Sequence, residues 1–194
     1  MGLLDTILGR SKPVRPDLDQ LFALPSAALT LQAGAGFTPT GTGSVCFAGV
    51  EGGGFARIKQ DVQDLLDADV AEDGSPVRFT SDSYGYTWLL ARQAPDNLAA
   101  LVNDLHAVNT LLQDGGFGPQ LLCSLVGFRD AGQRPLALVY LYKRGTFFPF
   151  APVPGGAEKR DSERELQVRA VLGDDLRIEP DLSRWFPVWG APGL

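Results

Sequence analysis

The sequence predicts an α+β fold, an antiparallel sheet of about six strands with helices mainly on one face. Three observations lead there. The order strand–strand–helix is read twice along the chain and is followed by two or three further strands. Two stretches have the form of β-hairpins, apolar runs on either side of a short polar turn. A hydrophobic share of 44% against 21% charged residues is that of a globular chain, and it excludes a disordered one.

Residues 1–9 fit a short amphipathic helix, because Met1, Leu3, Leu4, Ile7 and Leu8 fall within an arc of about 160° at helical spacing. Arg10 to Pro16, with two prolines and three cations, reads as an extended basic linker. This separates an appendage, residues 1–15, from a single α+β domain over 16–194 with an apolar C-terminal tail. A second short helix starts at Pro16, carries Leu18, Leu21 and Phe22 on one face, and is expected to stop at Pro25. Leu29–Gln32 and Ser44–Ala48 read as strands, with the glycine-rich stretch Gly34–Gly43 as the loop between them.

Helix is expected over Phe55–Asp69, where Phe55, Ile58, Val62, Leu65 and Leu66 repeat at helical spacing opposite Asp61, Asp64 and Asp67. Val77–Thr80 and Tyr84–Ala91 form a hairpin turning at Ser81–Ser83. The clearest helix is Pro95–Gln113, with the stripe Leu98, Leu101, Val102, Leu105, Val108 and Leu112 and a stop at Gly115-Gly116. A second hairpin joins Leu121–Phe128 to Leu136–Tyr142 across Asp130–Gln133. Residues 151–160 read as a loop, and Ser162 with Glu165 as a capping box opening a helix to about Leu172. The chain then reaches Trp185, Phe186, Val188 and Trp189, punctuated by Pro187 and Pro192. Pro16-Asp17-Leu18 and Pro180-Asp181-Leu182 echo one another, each reading as the start of a one-turn helix.

Charge and composition exclude several function classes. Arg10, Lys12 and Arg15 against Asp5 give residues 1–15 a side-chain sum of +2, which leaves −8 for residues 16–194 out of the total of −6. An acidic body does not provide the basic face that nucleic acid requires, so no nucleic-acid partner is expected. The basic head suits a membrane surface or an acidic partner. No apolar run reaches the roughly 18–20 residues of a membrane span, and the N-terminal stretch lacks a signal-peptide shape. The expected address is the cytoplasm, peripheral to the inner face of the membrane if residues 1–15 touch it.

Catalytic chemistry is sparse. His106 is the only histidine, and Cys46 and Cys123 are far apart in sequence, both in apolar runs that suit buried free thiols. A small hydrolase or thiol enzyme would need one of these cysteines to meet His106 in space. The glycine-rich stretch from Gly34 to Gly41 lacks the G-K-[ST] ending of a phosphate loop, and Pro39 removes an amide from it. The aspartate row at three-residue steps does not converge on a metal, so no cofactor and no metal are expected. Met1-Gly2 through Thr6 matches the short myristoylation pattern, but 13 arginines against four lysines suggest a GC-rich bacterial genome, where that modification is not expected. The segment Lys143, Arg144, Gly145, Thr146, Phe147, Phe148 reads either as a strand end entering the core or as a contact surface for a partner or lipid headgroups. In the tail, Trp185 is expected to pack on the domain, with Trp189 more accessible beyond Pro187. The candidate contact residues are therefore Leu3, Leu4, Ile7, Leu8, Lys143, Arg144, Phe147, Phe148 and Trp189.

Several stretches together resemble an actinobacterial family, the PspA-associated protein PspAB. They are MGLLDTILGR (1–10), LFALPSAALTLQ (21–32), TPTGTGSVCF (38–47), LHAVNTLLQDGGFGPQLLCSLVGFR (105–129), LYKRGTFFPF (141–150) and WFPVWG (185–190). The resemblance implies an accessory or adaptor role in a phage-shock-type envelope-stress response. It points to a PspA-type membrane-remodelling protein or an HtpX-type membrane protease as partner, and it supplies no catalytic residues.

Overall fold

The computed structural model describes residues 16–49, 53–68, 78–82, 84–155 and 158–194. A 3-10 turn, Leu18–Ala23, leads into α1 (Leu24–Ala35), β1 (Thr38–Ala48), α2 (Gly53–Ala68), β2 (Arg78–Ser81) and β3 (Tyr86–Arg92). There follow α3 (Leu98–Leu112), β4 (Leu121–Arg129), β5 (Pro135–Leu141), β6 (Thr146–Phe150) and α4 (Ser162–Leu172). The six strands make one antiparallel sheet in the order β2–β3–β1–β4–β5–β6. The α+β class and the strand number are as the sequence predicts. The first of the two expected strand–strand–helix units is not formed; the order ββα is found over β2, β3 and α3, and again over β5, β6 and α4.

The missing strand is Leu29–Gln32, which lies inside α1. Pro25 occupies the first turn of that helix, where a missing N–H costs nothing because it would have no intrahelical partner. The short helix before it does end there, as a 3-10 turn, but Pro25 also opens a new helix where a strand was expected. Gly36 ends α1 with φ 73°, a left-handed cap that favours glycine. The glycine-rich stretch is thus a helix end running into a central strand, and no loop of ten residues separates them. By contrast, α3 follows its stripe: Leu98, Leu101, Val102, Leu105, Val108 and Leu112 are all buried, and Asn97 caps the first turn through Ala100 N. In α2, Val62 is buried, whereas Leu65 is exposed and Asp61 and Asp64 face solvent.

The four helices share one face of the sheet. Leu24 and Leu31 of α1, Val62 of α2, the α3 stripe and Val168 and Leu172 of α4 pack with Val45, Phe47, Leu89, Val126, Phe128, Leu138 and Tyr140 from the strands. β5 reads Leu-Ala-Leu-Val-Tyr-Leu over 136–141 without a polar position because both its faces are buried. Leu136, Leu138 and Tyr140 point to the helices, and Ala137, Val139 and Leu141 to the opposite side.

That opposite side is closed by irregular chain. Ile178 bridges Phe147 at the edge of β6, and the tail then crosses the sheet, burying Trp185, Val188 and Ala191 against Cys46, Cys123, Leu125, Phe148 and Phe150. It reaches β1, where Thr42 Oγ1 donates to the Gly193 carbonyl at 2.9 Å. The echoed Pro-Asp-Leu segments do both form short 3-10 turns, at Leu18–Ala23 and at Leu182–Arg184.

Candidate functional site

The sheet face under the tail carries a row of directly opposed residues, Trp88 on β3, Cys46 on β1 and Cys123 on β4. The register slips beside this row: Cys46 faces Cys123 but Phe47 faces Leu121, so Leu122 is an extra residue. Such a bulge breaks the strict alternation of a strand. It turns Leu122 and Cys123, consecutive in sequence, toward the same side.

Above this floor lies a cavity of about 500 Å³. Tyr84, Tyr86 and Trp88 of the β2–β3 hairpin stand on it from one segment, and Phe186, Pro187, Val188 and Trp189 from the tail. Asp82 organises the hairpin. Its Oδ1 accepts from the amides of Tyr84 at 2.9 Å and Tyr86 at 3.0 Å, and its Oδ2 from the indole Nε1–H of Trp88 at 2.9 Å. Burial opposes ionisation of this carboxyl, but the N–H donors of Trp88, Tyr86, Tyr84 and Gly85 outweigh it and hold the group below its ordinary value. Asp82 is therefore a carboxylate at neutral pH. Among the described residues Glu158 is the other charged member of the lining.

The tail wall is anchored by Glu179. This fully buried carboxylate accepts from Thr146 Oγ1 at 2.7 Å and from Arg144 Nε at 3.1 Å. Its backbone carbonyl accepts from Trp185 Nε1 at 3.0 Å. Trp185 stacks on Phe148 with ring centroids 6.0 Å apart, and Trp189 meets Phe150 edge-on at 4.9 Å. Arg160 donates to the Trp185 carbonyl and pairs with Glu165 at 2.9 Å. Asp161, and not Ser162, caps α4, accepting from Arg164 N at 3.1 Å. The expected capping box is absent because Glu165 is engaged with Arg160 and the Ala151 amide.

The expected contact residues fare differently. Leu3, Leu4, Ile7 and Leu8 lie outside the described residues. Phe147 and Phe148 have no exposed surface; one packs toward the helices and the other under the tail, so neither offers a contact surface. Lys143 and Arg144 are both exposed, and Arg144 is engaged with Glu179. Trp189 is partly exposed and lines the cavity, whereas Trp185 is buried.

His106 lies on the helix side of the sheet, 3.4 Å from Asp19 and in a tilted ring contact with Phe22. Cys46 and Cys123 face the tail side, and no thiol–imidazole pair is assembled. The two thiols adjoin one another instead. The hydrogen bond to Cys46 and burial together push the Cys123 thiol well above its ordinary value. Among the described residues no cluster of three or more His, Cys, Asp or Glu could hold a metal, and no helix is long and apolar enough to cross a membrane.

The residues that sequence reasoning missed are Asp82, Tyr84, Tyr86, Trp88 and Phe186. A signal was present, since Tyr84, Tyr86 and Trp88 recur at the two-residue period that puts strand side chains on one face.

The family model for PspA associated protein B matches residues 1–193. The chain belongs to that family. No curated protein and no solved structure matches it. Family membership ties the chain to PspA by name and assigns no residue of the cavity a role.

Proposed function

We propose that this protein is a non-enzymatic accessory protein, an adaptor of a PspA-type envelope-stress response that works by protein–protein contact through the tail-side cavity. The observation that carries this reading is the gathering of exposed aromatics around one depression. Tyr84 is 67% exposed, Tyr86 40% and Phe186 40%, and all three line the same cavity. Large apolar groups left in water at one place mark an interaction surface, and aromatic residues are favoured anchors there. The family supports a PspA-type protein as the first partner to test. An HtpX-type membrane protease is the second candidate of this proposal. In this reading residues 1–15 bring the domain to the inner membrane surface, and no catalytic step is assigned.

The test is direct binding of purified PspA-type protein from the same organism to the full chain and to Phe186→Ala and Trp189→Ala, each checked for folding by near-ultraviolet circular dichroism. Loss of at least about tenfold in affinity for both variants is expected. Unchanged binding in both overturns the assignment of the cavity. Binding of the HtpX-type protein alone transfers the role to that partner.

A further inference from the structure

Resting on that reading, we infer that the cavity receives a cationic side chain of the partner, an arginine flanked by apolar residues. The lining holds five aromatic residues, Tyr84, Tyr86, Trp88, Phe186 and Trp189, and two acids, Asp82 and Glu158, with no lysine or arginine among its described members. Aromatic faces attract cations, indole most strongly. The hydrogen bond from Trp88 Nε1 to the Asp82 carboxylate increases the electron density of that ring. An anionic ligand would meet two carboxylates and, among the described lining, no lysine or arginine.

The shape of the site narrows the cation. Both oxygens of Asp82 already accept N–H donors, so they do not converge on a metal ion. A volume of about 500 Å³ is far more than a bare ion needs and falls in the range of pockets that hold a small molecule or a few side chains. Guanidinium is more weakly hydrated than ammonium and stacks on aromatic planes, so arginine loses less than lysine on entering. Tyr84 and Phe186 extend the apolar surface out of the cavity, where residues on either side of the arginine would lie. This continuity favours a peptide segment over an isolated small cation.

Two of the three tryptophans line the cavity, so intrinsic fluorescence reports its occupation. The full chain is titrated with capped leucine–arginine–leucine, leucine–glutamine–leucine and leucine–glutamate–leucine tripeptides, and separately with phosphatidylcholine vesicles. The arginine peptide is expected to bind at least about tenfold more tightly than the glutamine peptide, and the glutamate peptide more weakly still. Glu158→Gln, an exposed position, is expected to weaken only the arginine peptide, by about three- to tenfold. Equal affinity for the arginine and glutamine peptides, or no binding of the arginine peptide at millimolar concentration, overturns the inference. Vesicle binding without peptide binding also overturns it, since the cation would then be a lipid headgroup. The adaptor reading stands or falls separately. If Phe186→Ala and Trp189→Ala abolish binding of the PspA-type protein while peptide charge is irrelevant, only the arginine inference fails. If the arginine peptide binds but those variants keep full affinity for the PspA-type protein, only the adaptor reading fails.

Discussion

Replacing Trp185 with alanine removes the more deeply buried of the two tryptophans by which the tail is fastened to the sheet. The residue is 5% exposed, stacks on Phe148 and donates its indole N–H to the Glu179 carbonyl. Emptying a core tryptophan site costs about 3–5 kcal/mol when the surroundings relax only in part. Within that total, the stacked pair accounts for roughly 0.5–1.5 kcal/mol and the orphaned Glu179 carbonyl for roughly 1–3 kcal/mol. Trp185→Phe should retain the stack and lose the hydrogen bond, at about 1–2 kcal/mol. Trp189 is partly exposed and makes an edge contact with Phe150, so Trp189→Ala should cost no more than about 1–2 kcal/mol. For a domain of this size each kcal/mol shifts Tm by about 2–4 °C, so Trp185→Ala should melt roughly 6–20 °C lower. Urea denaturation followed by tryptophan fluorescence measures all three variants. Equal, large losses for Trp185→Ala and Trp189→Ala would refute the division of the tail into an anchored part and a presented part.

Three further outcomes follow from the same structure. A Cβ on Gly127 would sit 2.2 Å from the Gly193 carbonyl oxygen and 2.8 Å from Thr40 Oγ1, so Gly127→Ala should cost about 1–3 kcal/mol and lift the end of the tail off β1 and β4; an unchanged urea midpoint would contradict this. Asp82, Asp130 and Glu179 are held below their ordinary values chiefly by hydrogen bonds and, for Asp130 and Glu179, by arginine partners, against the opposing effect of burial. Depressed folded-state values mean that their stabilisation is present above the unfolded value of about 4 and lost as pH falls below it, with Glu179→Gln flattening the profile; a protein equally stable at about pH 5 and about pH 3 would show that these contacts contribute nothing. Cys46 and Cys123 are buried, and the Cys123 thiol is raised, so both should react with a thiol reagent orders of magnitude more slowly in native protein than in denaturant, as mass spectrometry of labelled protein would reveal.

What was legible in the sequence follows from how local its causes are. The stripe of α3 and the turns of both hairpins are written within windows of ten to twenty residues. The first strand pair was misread because Pro25 carries two meanings, a stop after one helix or the first turn of the next, and only the packing of Leu24 and Leu31 in the core decides between them. The opposition of Cys46 and Cys123 depends on a register joining residues 77 positions apart, across a bulge that no composition signals. The cavity joins a hairpin at 82–88 to a tail at 186–189, so its two halves are separately unremarkable in sequence. Trp189 was legible as accessible and aromatic. Its neighbours Tyr84, Tyr86 and Trp88 announced a face, but not what would be laid across it.

The layer that closes the second face has no ladder of its own. Beyond the bridge at Ile178 and the anchored Glu179, the chain over 182–194 is held to the rest of the domain by isolated hydrogen bonds, from Arg160 to the Trp185 carbonyl and from Thr42 to the Gly193 carbonyl, and by side chains set into the sheet. A layer built in this way can detach without unzipping a strand, and it is expected to open as a unit at a lower free energy than the sheet and its helices. Amide exchange in Trp185–Ala191 should accordingly outpace that of β4 and β5. The cavity exists only while this unit is docked, because Phe186 and Trp189 form one of its walls. Whatever occupies it is therefore a ligand of the docked form alone, and by mass action its presence protects the tail from exchange and proteolysis in proportion to its concentration.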